Sequence, residues 1–307
     1  MSTTLDQQHD NTKRLAAIGI GVSLVVVALK GFAYWRTGSL ALYSDALEGI
    51  VNVITAIAAT LAVHMAGRPA DTRHQYGHHK AEYFAAVLEG ILILVAAFAI
   101  LHDVLMSWRE PKALTQVGTG LVLNGLATAL NGAWGWHLIR RGRELRSPAL
   151  VADGWHLWTD VATSTGVLLG IGLVLLTGWR WLDPLLAVLV ACYIIWAGWR
   201  ITRVSMSSLM DEAVTAEIQR RIHAVISDKG SGAIEAHDIR TRTAGRVSYI
   251  EFHLVVPGEM SVARSHQICD RLEVALEEAV PGANVLIHVE PHIKAKGDIS
   301  EKDAVII

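Results

Sequence analysis

Apolar positions fall into six blocks, at about residues 15–35, 40–66, 81–108, 114–139, 149–177 and 181–199. Each block is long enough to cross a bilayer as a helix. The links between them are Arg36-Thr-Gly38, a stretch from Gly67 to Lys80, Arg109-Glu-Pro-Lys112, Arg140-Arg-Gly-Arg-Glu-Leu-Arg146 and Gly178-Trp-Arg180. After Arg203 the pattern changes. Residues 212–229 place Val214, Ile218, Ile222 and Val225 on one helical face, and 261–280 do the same with Ile268, Leu272, Leu276 and Val280. Residues 234–242 and 246–256 alternate as strands joined at Thr243-Ala-Gly245, and 284–289 form a last strand.

The expected fold is therefore an α-helical membrane protein with six transmembrane helices over 15–205. A cytosolic α+β domain of ferredoxin-like, open-faced layout follows over 206–293. Residues 1–14 read as a polar N-terminal tail, and 294–307 as a loose polar tail ending in Ala304-Val-Ile-Ile307.

Composition supports the membrane assignment. The 307-residue chain is 52% apolar and only 18% charged, with a mean hydropathy of +0.36. A net charge of -2 gives no basic field for nucleic acid. Cys192 and Cys269 form no pair motif, so neither a disulfide framework nor a cysteine zinc site is implied. The polar N-terminus, with Asp6 and Asp10, does not read as a signal peptide, so the first block is kept as a span. Six spans put both termini on one side. Lys13, Arg14, Arg68, Arg73, the 140–146 cluster, Arg200 and Arg203 share that side, which makes it cytoplasmic. Trp35, Trp108, Trp179 and Trp181 sit at the opposite ends of spans, as an interfacial belt does.

Several polar side chains lie where the pattern demands apolar ones. Within the fifth span, Asp153, His156 and Asp160 share a helix face, and in the second span Asp45, Glu48 and Asn52 do the same. An imidazole and carboxylates at such depth need partners, water or a metal. Asp45, His156 and Asp160 supply nitrogen and oxygen donors for a divalent ion such as Zn²⁺. In the loop after the second span, Asp71, His74 and His78 are close enough in sequence to share a metal, although a histidine-rich loop can also be merely solvated. Four histidines near sheet edges and a helix of the terminal domain, His237, His253, His266 and His288, form with Glu290 a third candidate cluster. Lys30, Glu82, Glu89, His102, Asp103, Asn124 and Asn131 are scattered over other spans. They read as pore lining or as interhelical hydrogen bonding, the second being favoured. Lys80 is placed to pair with a charge such as Asp211.

Four segments in this order resemble the cation diffusion facilitator family. They are Gly38-Ser-Leu-Ala-Leu-Tyr-Ser-Asp45, Pro69-Ala-Asp71-Thr-Arg-His74-Gln-Tyr-Gly-His78-His-Lys-Ala-Glu82, Ala152-Asp-Gly-Trp-His156-Leu-Trp-Thr-Asp160 and Ala236-His237-Asp-Ile-Arg-Thr-Arg242. The resemblance covers nearly everything from Leu15 to Pro291. It implies a proton-coupled exporter of divalent transition metals, a homodimer in the bacterial inner membrane with a metallochaperone-like cytosolic domain. By position it makes Asp45, His156 and Asp160 the transport site and Asp71, His74 and His78 a loop site. His237, His253, His266, His288 and Glu290 become a cytosolic cluster bridging the dimer.

One departure stands out. The family usually carries a second carboxylate four residues after the first on the second span, where this chain has Gly49. The fourth ligand is then Glu48, Asn52 or water. A histidine in the fifth span favours Zn²⁺ or Fe²⁺ over manganese. Exchange with protons by alternating access is the implied mechanism, because metal and protons compete for the same ligands. A membrane metal sensor signalling through its cytosolic domain is the alternative. No His-Glu-x-x-His helix or equivalent base supports an enzyme.

Overall fold

The computed structural model describes residues 2–37, 40–107, 118–179, 182–296 and 305–307. The chain divides into two units, Met1–Met206 and Ser207–Ile307.

The first unit holds six helices: α1 (Ser2–Thr37), α2 (Leu40–Ala66), α3 (Ala81–Ser107), α4 (Gly118–Glu144), α5 (Pro148–Thr177) and α6 (Leu182–Leu209). A helix satisfies every backbone polar group within itself, which is why apolar runs destined for lipid fold this way. Among the described residues, α1, α3 and α6 contain apolar stretches long enough to cross a bilayer, at Asp10–Trp35, Ala81–His102 and Val188–Leu209. A shorter one, Asn52–Ala66, lies in α2. The polar residues 2–14 extend α1, and the basic run after Ile139 forms the last turns of α4.

Inside the bundle α4 packs on α5 and on α1, while α3 packs on α2 and on α5. Small residues set the closest approaches. A Cβ on Gly135 of α4 would stand 2.9 Å from the Gly154 carbonyl oxygen of α5, and one on Gly154 would stand 2.8 Å from the Gly135 carbonyl oxygen. Gly90 of α3 and Gly198 of α6 form a second such contact: a Cβ on either would lie 3.1 Å from the other's carbonyl oxygen. The α4–α5 turn passes through Arg146 in the left-handed region, at φ 51°. Ser147 then caps α5, its hydroxyl accepting from Leu150 N at 3.4 Å and donating to the buried Glu82 carboxylate of α3. Pro148 follows at the first helical position, where its missing N–H costs nothing.

The second unit runs α7 (Ala216–Lys229), β1 (Glu235–Ala244), β2 (Val247–Val256), α8 (Val262–Ala279) and β3 (Ala283–Pro291), with a short β4 (Val305–Ile306). Thr215 and Ser261 cap the two helices through their hydroxyls. Strand order is β3-β2-β1-β4. β1 and β2 are antiparallel, β2 and β3 parallel. Ile222 and Ile226 of α7 and Ile268, Leu272 and Leu276 of α8 pack with Ile250, Phe252 and Leu254 of β2 in one core. The expected helix-strand-strand-helix-strand order is the observed one.

The end of the chain differs from the loose tail that its composition suggests. Val305 and Ile306 pair with Ala236 and Glu235 of β1, Ile307 N bonds Ile234 O at 3.3 Å, and Ile307 packs against the core. An unpaired strand edge beside apolar surface is a liability, and three apolar residues cover it here. The isolated run Ala304-Val-Ile-Ile307 was too short to reveal that partner from sequence.

Replacement of Gly135 by valine is expected to push α4 off α5. In detergent the variant should unfold at a temperature several degrees lower, with a cost on the order of 1–3 kcal/mol for overpacking. An unchanged unfolding temperature would show that the two helices do not rely on this contact.

Candidate metal sites

The α5 face with Asp153, His156 and Asp160 is buried, each side chain keeping under a twentieth of its surface exposed. Asn52 of α2 joins two of them. Its Oδ1 lies 2.8 Å from His156 Nε2, and its Nδ2 donates to Asp160 Oδ2. Position 52 faces α5 because it lies on the inner stripe of α2 with Thr55 and Ala59, all three buried. Asp153 turns another way: its Oδ2 comes within 3.7 Å of where a Cβ on Gly19 of α1 would be, on the side occupied by Trp134 Nε1. Asp45 and Glu48 belong to α2, and their side chains lie outside those described. Gly49 is buried against α1, where a Cβ would stand 2.9 Å from Val27 Cγ2 and 3.8 Å from Lys30 Cδ.

The spans contribute one carboxylate that sequence pattern assigned to interhelical hydrogen bonding. Glu89 of α3 is 2% exposed, and among the described residues neither of its oxygens has a hydrogen-bond partner. Its Oε2 lies 3.9 Å from His156 Nδ1. Asn131 of α4 is likewise buried, with neither amide atom hydrogen-bonded among the described residues. For Glu89 and Asn131 the favoured reading as interhelical hydrogen bonding is corrected. Glu82 does serve that role, through Ser147.

The loop between α2 and α3 brings Asp71, His74 and His78 together, one ligand atom from each lying within 4.8 Å of the others. Asp71 organises it. Its Oδ1 accepts from the backbone N–H of Arg73 at 2.8 Å and of His74 at 2.7 Å, an Asx turn that folds the loop on itself. Those N–H groups, His74's first, hold the Asp71 carboxyl below the usual carboxylate range. His74 Nδ1 and His78 Nε2 each stand 3.4 Å from the carboxylate. Gly77, at φ 81°, allows the reversal that returns His78 to Asp71. One carboxylate and two imidazoles are a donor set suited to zinc or ferrous iron, with room left for water.

In the second unit His237, His253 and Glu290 converge, again with ligand atoms within 4.8 Å. The sheet explains why. His237 pairs with His253 across β1–β2, and His253 with His288 across β2–β3. Glu290 lies two residues beyond His288 on the same face of β3. His237 Nε2 and His253 Nδ1 stand 3.4 and 3.5 Å from the Glu290 oxygens. His288 approaches from the exposed side, its Nε2 3.7 Å from Glu290 Oε1. His266 is not brought to the cluster: it lies on α8, 72% exposed, 3.5 Å from Asp270. Asp211 accepts from Arg242 Nη1 at 3.3 Å within its own unit.

Two residues that the pattern left unmarked complete this site. Glu235, buried on the same strand face as His237, holds His237 Nδ1 at 2.8 Å and so aims Nε2 at Glu290. The two-residue spacing was a readable signal. Asp238 occupies an irregularity in the β1–β2 register at φ 52°, its Oδ2 3.7 Å from His253 Nδ1, and no alternation pattern could place it. The Lys296 ammonium, donating at 2.8 Å, holds the Asp238 carboxyl below its ordinary range.

Comparison with known proteins agrees over both units. The family model for the cation efflux transmembrane domain matches residues 16–210, and that for the cation efflux protein cytoplasmic domain matches 214–292. An uncharacterized transporter of Synechocystis is 43% identical over 277 residues, covering 90% of this chain and 89% of its own. The cation-efflux pump FieF of Pectobacterium atrosepticum is 32% identical over 284 residues, covering 90% and 92%. A solved structure of a candidate zinc transporter, CzrB, in its zinc form is 46% identical over 28% of this chain and 98% of its own, with a TM-score of 0.27.

Glu235→Gln is expected to weaken metal binding at the cytosolic cluster by about 10–100-fold, the usual cost of losing a group that orients a ligand histidine. Titration of the full chain in detergent against a chelating indicator measures it. Unchanged affinity would show that the strand alone orients His237.

Proposed function

This chain belongs to the cation diffusion facilitator family, whose members are cation efflux transporters rather than enzymes, and from that premise we propose that it exports Zn²⁺ or Fe²⁺ in exchange for protons, as a homodimer. The observation that carries the reading is the buried assembly of His156, Asn52 and Asp160 between two helices of the membrane unit. An ionisable pair held in lipid-facing helices is a costly arrangement, and a cation path accounts for it.

His156 and Asp160, joined by Asp45, are the ligands assigned to the transported ion. A hydrated ion arriving from the cytoplasmic side exchanges its water for these groups. Asn52 fixes the rotamers of both ligands, so little ordering remains to be done when the ion arrives. Ligation needs a neutral imidazole and ionised carboxylates. Protons reaching the same groups from the far side therefore weaken the ion's hold, and an inward proton gradient drives export by shifting the population of inward- and outward-facing states. The donor set, imidazole with carboxylate oxygen, suits zinc and ferrous iron better than manganese.

The remaining two groups of ligands lie outside the spans. Asp71, His74 and His78 would hold a metal at the loop. His237, His253 and Glu290, with His288 beside them, would hold metal in the cytosolic domain, where a bound ion neutralises the carboxylates and ties β1 to β2 and β3. Both termini and this domain are assigned to the cytoplasmic side of a bacterial inner membrane, on the distribution of basic residues.

Proteoliposomes with an imposed pH gradient test the proposal. Gradient-driven zinc or iron uptake is expected in the wild type and should fall to background in Asp160→Ala. If no metal moves while the protein still binds it, the chain acts as a sensor and export is wrong.

A further inference from the structure

The hydrogen bonds around Asn52 fix more than position. An ionised carboxylate can only accept, so the amide nitrogen of Asn52 must face Asp160, as it does. The amide oxygen then faces His156 Nε2 at 2.8 Å, and an oxygen acceptor requires that this nitrogen carry the proton. In the neutral imidazole the lone pair is therefore on Nδ1. That atom looks toward Glu89, whose Oε2 is 3.9 Å away and whose two oxygens receive no hydrogen bond among the described residues. Two electron-pair donors thus face each other across a gap, both buried.

Such a gap calls for a cation. Zinc–nitrogen and zinc–oxygen bonds of about 2.0–2.2 Å put two ligands of a tetrahedral ion roughly 3.4 Å apart. The observed 3.9 Å closes to that distance with a small side-chain movement. Glu89 lies on the inner face of α3, with Ala86 and Ile93 buried one turn either side, and α3 packs against both α2 and α5. A third helix is thereby placed to supply a donor.

The position without a side chain on α2 points elsewhere. Gly49 abuts Val27 and Lys30 of α1, and even a Cβ there would stand 2.9 Å from a Val27 methyl. A carboxylate on that residue would meet α1 before it met His156. We propose that Glu89 is a ligand of the transported ion, binding it with His156 Nδ1 and supplying from α3 the carboxylate that α2 lacks at Gly49. This rests on the export reading, and it gives the site ligands from three helices in place of two.

Cobalt(II) is the probe, because its visible absorption is strong in tetrahedral sites and weak in octahedral ones. The full-length protein in detergent carries His74→Ala and His253→Ala throughout, to silence the loop and cytosolic sites. In that background one tetrahedral Co²⁺ per protomer is expected, and Asp160→Ala should abolish it. Glu89→Gln, isosteric and unable to ligate as an anion, should lower Co²⁺ affinity by at least about 10–100-fold and weaken the tetrahedral bands. Glu89→Asp should keep part of both. Unchanged affinity and spectrum in Glu89→Gln, with binding lost in Asp160→Ala, overturns the role of Glu89 and leaves export standing. Equal loss in the Gln and Asp variants overturns it too, in favour of packing. A background protein that binds no Co²⁺ in its spans overturns both readings.

Discussion

An amide wedged between an imidazole and a carboxylate joins two helices of the membrane unit. Asn52 turns its nitrogen to Asp160 and its oxygen to His156, so a single side chain braces both, and with Asp160 ionised this pairing puts the imidazole proton on Nε2. In water such a bridge would be worth about a kilocalorie per mole. Between buried helices it matters more, because breaking it leaves polar groups with no solvent to replace the lost partner. The bridge also ties α2 to α5, so ligand geometry and helix packing depend on the same contact. Gly135 and Gly154 support it from the other side by letting α4 press closely on α5.

The cytosolic cluster reaches the same end through a different backbone. Register supplies the geometry: adjacent strands carry His237, His253 and His288 in a row, and Glu290 returns to the row two residues later. A strand places side chains on one face every second residue, so Glu235 arrives behind His237 without any special turn. Asp238 needs one, and the irregular register with positive φ provides it. Glu235 also accepts from Lys296 N at 2.9 Å, and the same residue's ammonium binds Asp238. The segment after β3 is thus secured to the carboxylates that flank the ligands, and β4 pairs with β1 beside Glu235.

Much of this was legible in the sequence, for identifiable reasons. Apolar run length marks the membrane helices, and period-two and period-3.6 alternation mark the strands and helices of the second unit. The loop cluster was legible because Asp71, His74 and His78 lie within one turn-forming stretch. His156 and Asp160 were legible from four-residue spacing. Residues that act across helices were harder. Glu89 looks like any isolated polar residue in a span, and only the packing of α3 against α5 brings it to His156. His266 shares its residue type with the clustered histidines, but within one chain α8 places it beside Asp270, apart from them. Val305 and Ile306 form a strand solely because β1 leaves an edge open.

The three clusters differ in surroundings more than in donors, and on the proposed reading that difference would separate their tasks. Asp71 and His74 are exposed, so an ion there would keep water ligands and exchange easily. His237 is buried and Glu290 half-buried, with a supporting carboxylate behind His237, which would favour retention of an ion there. Within the spans, Glu89 and Asp160 are carboxyl groups buried away from solvent. Like charges in low dielectric repel strongly, so on the proposed export reading two ionised carboxylates at this depth would be relieved by either cation, metal or proton. Under that proposal the competition needs no moving part of its own: the same carboxylates would take up one cation as the other leaves, and helix motion would decide only the side on which each exchange takes place.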